Sequence, residues 1–493
     1  MTKKVTFLHA ADVHLGAPMR GFRGLTDEWA ARLARAIPES FNRVIETALA
    51  RRVDFVVLSG DTFDTARASY AEYLQFFEAL NKLDAAGIPT YIVGGNHDPY
   101  TSWIRDIDLL PASAHLLGAD GPEFVSFTRE LKQGERGEGE IASAVSSSDE
   151  GAPASVVATR THESSTPLCA VGGRSYHNQT WPDDQGIADG LVRDAVDATF
   201  AIGIIHTSLV RLDEKAPVSE QKLLESGLDY WACGHTHHRL VRPSEHNPRI
   251  VSPGCPQGRG IDETGDRGCY VVTLEEGSAP QLEFVPTSSV VFEQLQVDVG
   301  LCQTLGDLVH LVASTLFHAN GRAHCDEMVV RVDLTGATTL HRFLTKPEVI
   351  ANLRKQVNDA YPSFFCDALI DRTTMRHTDG HTQVPFVEVL HDIADEQGSR
   401  KETMINYLQS EFVKRGIAMP GSLSYRIDVM NSAAELRALD LLREEAGEDE
   451  ALGDVRGERI VVRGPLDEEA TAGEFAVGDV PLPRDPNNGE VHA

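Results

Sequence analysis

Residues 5–14 read Val-Thr-Phe-Leu-His-Ala-Ala-Asp-Val-His, an apolar run that closes on a carboxylate and an imidazole. Runs rich in β-branched and aromatic residues predict buried β-strands, so Asp12 and His14 should follow a strand directly. Four further apolar runs end in the same way. Their closing clusters are Gly60-Asp61, Gly95-Asn96-His97-Asp98, His206 and Gly234-His235-Thr236-His237. The repeated pattern predicts strands that deliver metal-ligand residues to one edge of a sheet.

Each cluster on its own has an ordinary structural explanation. An Asp-x-His pair commonly ends a strand in a solvated turn, Gly60-Asp61 is a turn signal, and His206 fits a buried core histidine. The joint pattern favours a metal site, because five runs close on metal-ligand types. Carboxylate and amide oxygens together with imidazoles suit two divalent ions such as Mn, Fe or Zn. Two ions about 4 Å apart clamp the attacking and leaving oxygens of a phosphate ester, so the pattern predicts phosphoesterase chemistry.

Longer strings around these clusters resemble the calcineurin-like metallophosphoesterase superfamily. Those strings occupy residues 7–16, 58–64, 94–98 and 232–238. Within the superfamily, residues 250–269 are similar to the DNA-repair exonuclease branch, the SbcD- and YhaO-like nuclease subunits. The resemblance is strong over residues 5–290 and weak beyond them.

The resemblance implies a fold class and a division into domains. The expected class is α/β, an α+β sandwich with four layers: two central β-sheets flanked by helices, plus a small C-terminal α/β cap. The expected domains are a catalytic domain at 1–288 with a flexible insertion at 129–166, a capping and partner-binding domain at 289–445, and an acidic disordered tail at 446–493.

Periodicity predicts several of the elements independently of the resemblance. Helical spacing of apolar residues covers 27–51 and 70–86, and strands alternate with these helices, which indicates a largely parallel sheet. Residues 243–286 alternate short strands and turns, which predicts an antiparallel half that closes a sandwich over the first sheet. Later predictions are strands at 328–334 and 364–370, a helix at 346–360, and amphipathic helices at 402–415 and 433–443.

The resemblance also implies a role for each candidate residue. The first ion would be held by Asp12, His14, Asp61 and His237, and the second by Asp61, Asn96, His206 and His235. Asp61 is the expected bridge, because a carboxylate has two oxygens to share and an imidazole donates one lone pair. His97 would protonate the leaving alkoxide or stabilise charge on the phosphoryl oxygens. Asp98 would be the partner that fixes the tautomer of His97.

Composition limits the setting in which such a centre works. The formal charge is −29 over 493 residues, which is unusual for a nucleic-acid enzyme that uses basic side chains to bind phosphates. Residues 441–493 hold 14 acidic and 5 basic side chains, and arginines are frequent between residues 20 and 52. No apolar stretch is long enough to span a membrane, and seven scattered cysteines form no disulfide framework. We therefore expect a cytoplasmic protein.

Three functions remain open from the sequence. The favoured one is a Mn-dependent DNA nuclease in DNA repair that works with an SbcC-type coiled-coil ATPase, with a homodimer left open. The second is a phosphoesterase acting on a small nucleotide or a phosphoprotein. The third is a scaffold with a vestigial metal site, which the filled ligand positions disfavour.

Overall fold

The computed structural model describes residues 2–22, 24–103, 107–118, 120–129, 166–182, 185–209, 216–325 and 327–376, together with residue 410. The expected insertion at 129–166, the two amphipathic helices at 402–415 and 433–443, and the acidic tail lie almost entirely outside these ranges. No described helix is long and apolar enough to cross a membrane.

The chain divides into two compact units. The first comprises Met1–Arg20 with Thr26–Val291, and the second comprises Gly21–Leu25 with Phe292–Ala493. Every candidate metal ligand belongs to the first unit.

The first unit contains twelve described strands and four described α-helices. In chain order the strands are β1 (Lys4–Ala10), β2 (Phe55–Ser59), β3 (Thr90–Val93), β4 (Ala114–Leu116), β5 (Glu123–Phe127), β6 (Cys169–Arg174), β7 (Phe200–His206), β8 (Tyr230–Gly234), β9 (Leu240–Ser244), β10 (Asn247–Ser252), β11 (Gly268–Glu275) and β12 (Gln281–Pro286). The helices are α1 (Asp27–Arg51), α2 (Tyr70–Ala85), α3 (Tyr100–Trp103) and α4 (Glu220–Glu225), with short 3₁₀ turns at Ile107–Leu109 and Arg193–Ala195.

These strands form two six-stranded sheets. The first has the order β12-β11-β1-β2-β3-β4, in which β1 to β4 are parallel and β11 and β12 are antiparallel additions. The second has the order β5-β6-β7-β8-β10-β9, with β6, β7, β8 and β10 parallel. The ligand-bearing strands β1 to β3 therefore lie in one sheet and β7 and β8 in the other. The expectation of one edge of a single sheet was wrong, because apolar runs do not encode which strands pair.

The predicted antiparallel half is also divided between the sheets. Residues 243–286 do form strands, but β9 and β10 extend the second sheet while β11 and β12 extend the first. Strand β11 pairs with β1 from Lys4–Glu275 to His9–Tyr270, more than 260 residues apart in the chain. The sandwich is therefore closed by long-range pairing on both sheets.

Packing confirms the four-layer α/β sandwich. A buried cluster that includes Phe7, Val57 and Ile204 fills the space between the two sheets. On its other face the first sheet packs against α1 and α2, and the second sheet packs against α4 and the segment around Tyr176. Helix α1 begins at Thr26, whose side chain accepts a hydrogen bond from the N–H of Trp29, and α1 and α2 follow the predicted apolar spacing.

The second unit is a smaller α/β assembly. Its elements are β13 (Val291–Asp298), α5 (Leu305–Asn320), β14 (Met328–Thr335), β15 (Ala337–Thr338), α6 (His341–Leu344), α7 (Pro347–Ala360), β16 (Phe364–Asp371) and β17 (Thr374–Met375). Strands β13, β14 and β16 form one sheet, and β15 and β17 form a short second one. Helices α5 and α7 share an apolar core with the larger sheet, so the predicted strands at 328–334 and 364–370 and the predicted helix at 346–360 are present.

Candidate metal centre

The turns that follow β1 and β2 bring the first carboxylates together. Asp12, His14 and Asp61 adopt left-handed backbone conformations with φ of 53°, 53° and 51°. Such conformations cost roughly 1–3 kcal/mol for a non-glycine residue, so the surroundings must enforce them. Two interstrand hydrogen bonds do so, from Asp12 N to Gly60 O at 3.1 Å and from His14 N to Asp61 O at 2.9 Å. The strained turns aim both carboxylates away from the strands and towards a common point.

Five of the candidate side chains converge at this point. Asp61 Oδ2 lies 3.3 Å from His206 Nε2 and 3.6 Å from His14 Nε2. His14 Nε2 and His237 Nε2 lie 3.2 Å apart, and His237 Nε2 lies 4.0 Å from Asp12 Oδ1. Two sets of ligand atoms each fall within 4.8 Å of one another: Asp12, His14 and His237; and Asp12, Asp61 and His206. The two overlapping sets have the arrangement that a pair of ions requires.

The remaining two candidates border the same cluster. His235 has φ of 82°, its N–H donates to Asp12 Oδ1 at 3.0 Å, and its ring lies edge-on to that of His206 with centroids 5.3 Å apart. Asn96 is 7 % exposed and follows β3. Both therefore lie where the expected second ion would be.

Unsatisfied polar atoms show that these residues fit divalent ions. Asp12 Oδ2, Asn96 Oδ1 and His206 Nε2 are buried and have no hydrogen-bond partner of acceptable geometry among the described residues. A buried polar atom without a partner costs free energy, so native proteins rarely keep one without a role. All three are metal-ligand atoms, and they follow or end three different strands. A pair of divalent ions would satisfy them together.

Electrostatics place a positive charge between Asp61 and the imidazoles. Burial alone would raise the pKa of Asp61, but His206 and His14 lower it well below its usual range. Burial opposes charge on His206 as well, yet Asp61 and Asp12 raise its pKa to about 9. Burial drives the pKa of His14 well below 6.5, which keeps its ring neutral. Without an ion a proton supplies the positive charge, and a cation would replace it.

Contacts behind two of the imidazoles fix which ring nitrogen faces the cluster. His206 Nδ1 lies 3.0 Å from Ser59 O, and His237 Nδ1 lies 2.6 Å from Glu263 Oε1. Each contact leaves Nε2 directed at the carboxylates, as is typical of metal-bound histidines. Close approach also requires glycine at two strand ends. A Cβ at Gly95 would lie 2.2 Å from Asp61 Oδ1, and one at Gly234 would lie 2.0 Å from Ser59 O.

His97 lies at the accessible side of the cluster, and its partner differs from the expected one. Its side chain is 38 % exposed and its ring lies edge-on to His14 with centroids 4.9 Å apart. Its Nδ1 lies 4.0 Å from Asp64 Oδ1, and its backbone N–H donates to Asp61 Oδ1 at 2.8 Å. Burial lowers the pKa of His97, against the charges of Asp61 and Asp64.

Asp98 does not orient the ring of His97, so that expected role was wrong. Its buried carboxylate accepts four backbone N–H bonds, from Asp61, Thr62, Phe63 and Gly95, at 2.7–3.3 Å. Burial and the charge of Asp61 raise its pKa to about 8. Asp98 therefore ties the turn after β2 to the turn after β3. It acts on the centre by holding Asp61 in position, and Asp64 is the carboxylate near His97.

Sequence reasoning also missed two residues beside the cluster. Glu263 bonds to His237, and burial is outweighed by that bond, so the pKa of Glu263 falls to about 2. Arg259 places Nη2 3.5 Å from His237 Nε2. Both lie in the buried segment between β10 and β11, which carries none of the Asp-x-His or His-x-His spacing that marked the other ligands. The only signal was a low exposure that the sequence could not report.

Comparison with known proteins identifies the family. Residues 5–239 match the model of the calcineurin-like phosphoesterases, and residues 292–374 match that of the middle domain of metallophosphoesterase YhaO. The chain is 30 % identical to metallophosphoesterase YhaO of Bacillus subtilis over 67 % of its own length and 72 % of that protein. The chain belongs to the calcineurin-like metallophosphoesterase family.

Other members of this metallophosphoesterase family place the chain in its DNA-repair nuclease-like branch. It is 28 % identical to the DNA double-strand break repair protein Mre11 of Aeropyrum pernix, over 59 % of this chain and 63 % of that protein. It is 26 % identical to one subunit of the nuclease SbcCD of Bacillus subtilis, over 23 % of this chain and 27 % or less of the Bacillus protein's length. The predicted resemblance is confirmed for the superfamily and for this branch.

Proposed function

We propose that this metallophosphoesterase is a two-metal phosphodiesterase that cuts DNA in repair. The two overlapping ligand sets, with buried ligand atoms that have no other partner in the described chain, are the observation that carries the proposal. They favour an active centre over a vestigial one, since an inactive scaffold has no need to keep unpaired polar atoms buried. The relatives named for DNA break repair and for a nuclease support DNA as the substrate.

The proposed roles follow from where each residue lies. Asp12, His14, Asp61 and His237 would hold one ion and Asp61, Asn96, His206 and His235 the other. When bound, two divalent ions polarise the phosphoryl oxygens and acidify the attacking water. The half-exposed ring of His97 would donate a proton to the leaving oxygen or a hydrogen bond to the phosphoryl group. An anionic phosphodiester beside His97 would raise the pKa of its ring, which suits proton donation.

Manganese is the proposed metal, with iron or zinc as the alternatives. The ligand set mixes imidazole nitrogens with carboxylate and amide oxygens, which suits these ions better than magnesium, an ion that prefers all-oxygen octahedral shells. We further propose that the protein works in the cytoplasm, where thiols stay reduced. All seven cysteines are free, which supports this.

A coiled-coil ATPase of the SbcC type is the proposed partner. The formal charge of −29 leaves little basic surface for binding DNA by phosphate contacts. A partner that binds the duplex would supply the missing affinity. The relative named as part of nuclease SbcCD supports such an arrangement.

A metal and substrate panel tests the function. The protein is stripped with chelator, reloaded with Mn, Fe, Zn or Mg, and assayed on linear duplex, hairpin, single-stranded DNA and a cyclic nucleotide. We expect activity to return with Mn far more than with Mg, and DNA to be cut in preference to the cyclic nucleotide. Asp61→Asn serves as the inactive control for contaminating nucleases. Equal activity in Mg and Mn, activity in excess chelator, or a preference for the cyclic nucleotide contradicts the proposal.

A further inference from the structure

A buried arginine beside the metal centre lies outside ion-pair distance of every described carboxylate. Arg259 is 3 % exposed, and its Nη2 lies 3.4 Å and 3.5 Å from the two ring nitrogens of His237. Its Nε and Nη1 are buried and make no hydrogen bond within the described residues. The side chain is therefore a buried cation with two unused donors.

Such an arrangement is costly unless an anion joins it. Burying an unpaired charge costs several kcal/mol, and proteins accept this only where a partner is supplied. Two divalent ions next to His237 would add repulsion to that cost. A tetrahedral anion between the ions and the guanidinium removes both penalties. Arginine suits a phosphate group, because its planar fork can donate two parallel hydrogen bonds to the oxygens.

The backbone around Arg259 is held firmly before any ligand arrives. Its N–H donates to Glu263 Oε2 at 2.6 Å, and its carbonyl accepts from Arg20 N at 2.7 Å. Two residues earlier, Gln257 donates to Val290 O at 2.8 Å and accepts from Ser289 N at 2.8 Å. A donor fixed in this way loses little entropy on binding, which is what a phosphate site needs.

The charge of Arg259 acts on the residues that face the substrate. It contributes, after burial, to the lowered pKa of both His14 and His97. Arg20 lies beside it on the accessible side, and burial and the charge of Arg259 lower the pKa of Arg20. Two neighbouring guanidinium groups form a local positive patch on a protein with a net charge of −29. This patch would attract a phosphate to the centre.

We propose that Arg259 binds the phosphoryl group of the substrate, donating from Nε and Nη1 to its non-bridging oxygens, and that Arg20 strengthens the attraction. The inference deepens the proposed function, since it names how the same centre recognises a phosphodiester. The competing explanation is that Arg259 only packs against His237 and holds its ring. The two differ in what the loss of Arg259 removes, which is phosphate affinity in the first case and bound metal in the second.

The test measures binding of inorganic phosphate to the full-length, Mn-loaded protein by calorimetry, with metal content by elemental analysis. Arg259→Gln should keep the metal content of the wild type while the phosphate dissociation constant rises about 30-fold, the scale of a lost charge-assisted pair. Arg259→Lys should recover part of that affinity. Millimolar guanidinium ion should restore phosphate binding to Arg259→Ala. Arg51→Gln, which removes an exposed arginine paired with Glu283, is the charge-matched control and should stay within about twofold.

Each outcome decides the inference. Unchanged phosphate affinity in Arg259→Gln overturns it, and so does loss of metal in both Arg259→Gln and Arg259→Lys, which indicates a role in holding His237. On a model diester, kcat/KM of Arg259→Gln should fall about 100-fold or more. If the wild type cleaves no phosphodiester, the proposed function fails, whereas phosphate calorimetry still decides the role of Arg259.

Discussion

Individual residues of the centre differ in whether they face the ions or support the residues that do. Asp61 contacts His14 and His206, and its backbone is held by Asp98, so it occupies the middle of the cluster. The side chain of His97 is 38 % exposed, and its ring lies at the edge of the cluster. The two positions should therefore respond differently to substitution.

We expect Asp61→Ala and His97→Ala to separate metal binding from chemistry. Asp61→Ala removes the central carboxylate and should lose at least one ion. His97→Ala should keep both ions while turnover falls about 100-fold or more, the usual scale for a lost general acid. Elemental analysis alongside steady-state kinetics checks both. Full metal content in Asp61→Ala, or depleted metal in His97→Ala, contradicts the roles assigned to them.

Between elements, a buried histidine connects the two sheets. His9 of β1 bonds through Nδ1 to Tyr230 OH of β8 at 3.0 Å and through Nε2 to Ser59 Oγ of β2 at 2.9 Å. The carbonyl of Ser59 in turn contacts His206 Nδ1. The network therefore joins the sandwich at the level of the metal centre. Burial lowers the pKa of His9 to about 3, so its ring stays neutral in the folded protein.

This low pKa predicts a loss of stability in acid. Between pH 6.5 and about 3 the unfolded chain protonates His9 and the folded chain does not, so the free energy of unfolding falls as pH falls through that window. From about pH 7 to about pH 5 the contribution is about 2 kcal/mol. Denaturant titrations of the metal-free protein at both pH values should show a correspondingly smaller fall for His9→Gln than for the wild type. Equal falls in the two proteins would show that His9 is not the group responsible.

For the whole molecule, the location of the ligands sets what each unit can do. All seven candidate ligands lie before residue 238, inside the first unit, which has apolar cores of its own. The second unit has a separate core made by its own sheet and helices. Cleavage chemistry is therefore expected from the first unit, while the strongly acidic chain leaves duplex binding to a partner.

A truncation after Val291 separates these contributions. The shortened protein should keep hydrolysis of a small model phosphodiester, because it retains every proposed ligand. It should lose the ATP-stimulated cleavage of duplex DNA that we expect of the full chain with a coiled-coil ATPase. The assay compares both substrates with and without the ATPase and ATP. Full ATP stimulation of the truncated protein would mean that the partner engages the catalytic unit itself.

Local sequence determined much of this protein. The runs before Asp12, Asp61 and His206 predicted buried strands, and helix α1 begins and ends where the apolar spacing does, because strand and helix periodicity depend on neighbours a few residues away. The same strings identified the superfamily and which residue types would meet at the centre.

Tertiary structure alone decided how these pieces are joined. Pairing placed β7 and β8 in a second sheet and sent β11 back to β1, since hydrogen bonding between strands carries no local signal. It also gave Asp98 four backbone donors instead of a histidine, and brought Glu263 and Arg259 to His237 from more than 20 residues away. Such contacts depend on burial and distance in the folded chain, which are properties of the whole structure.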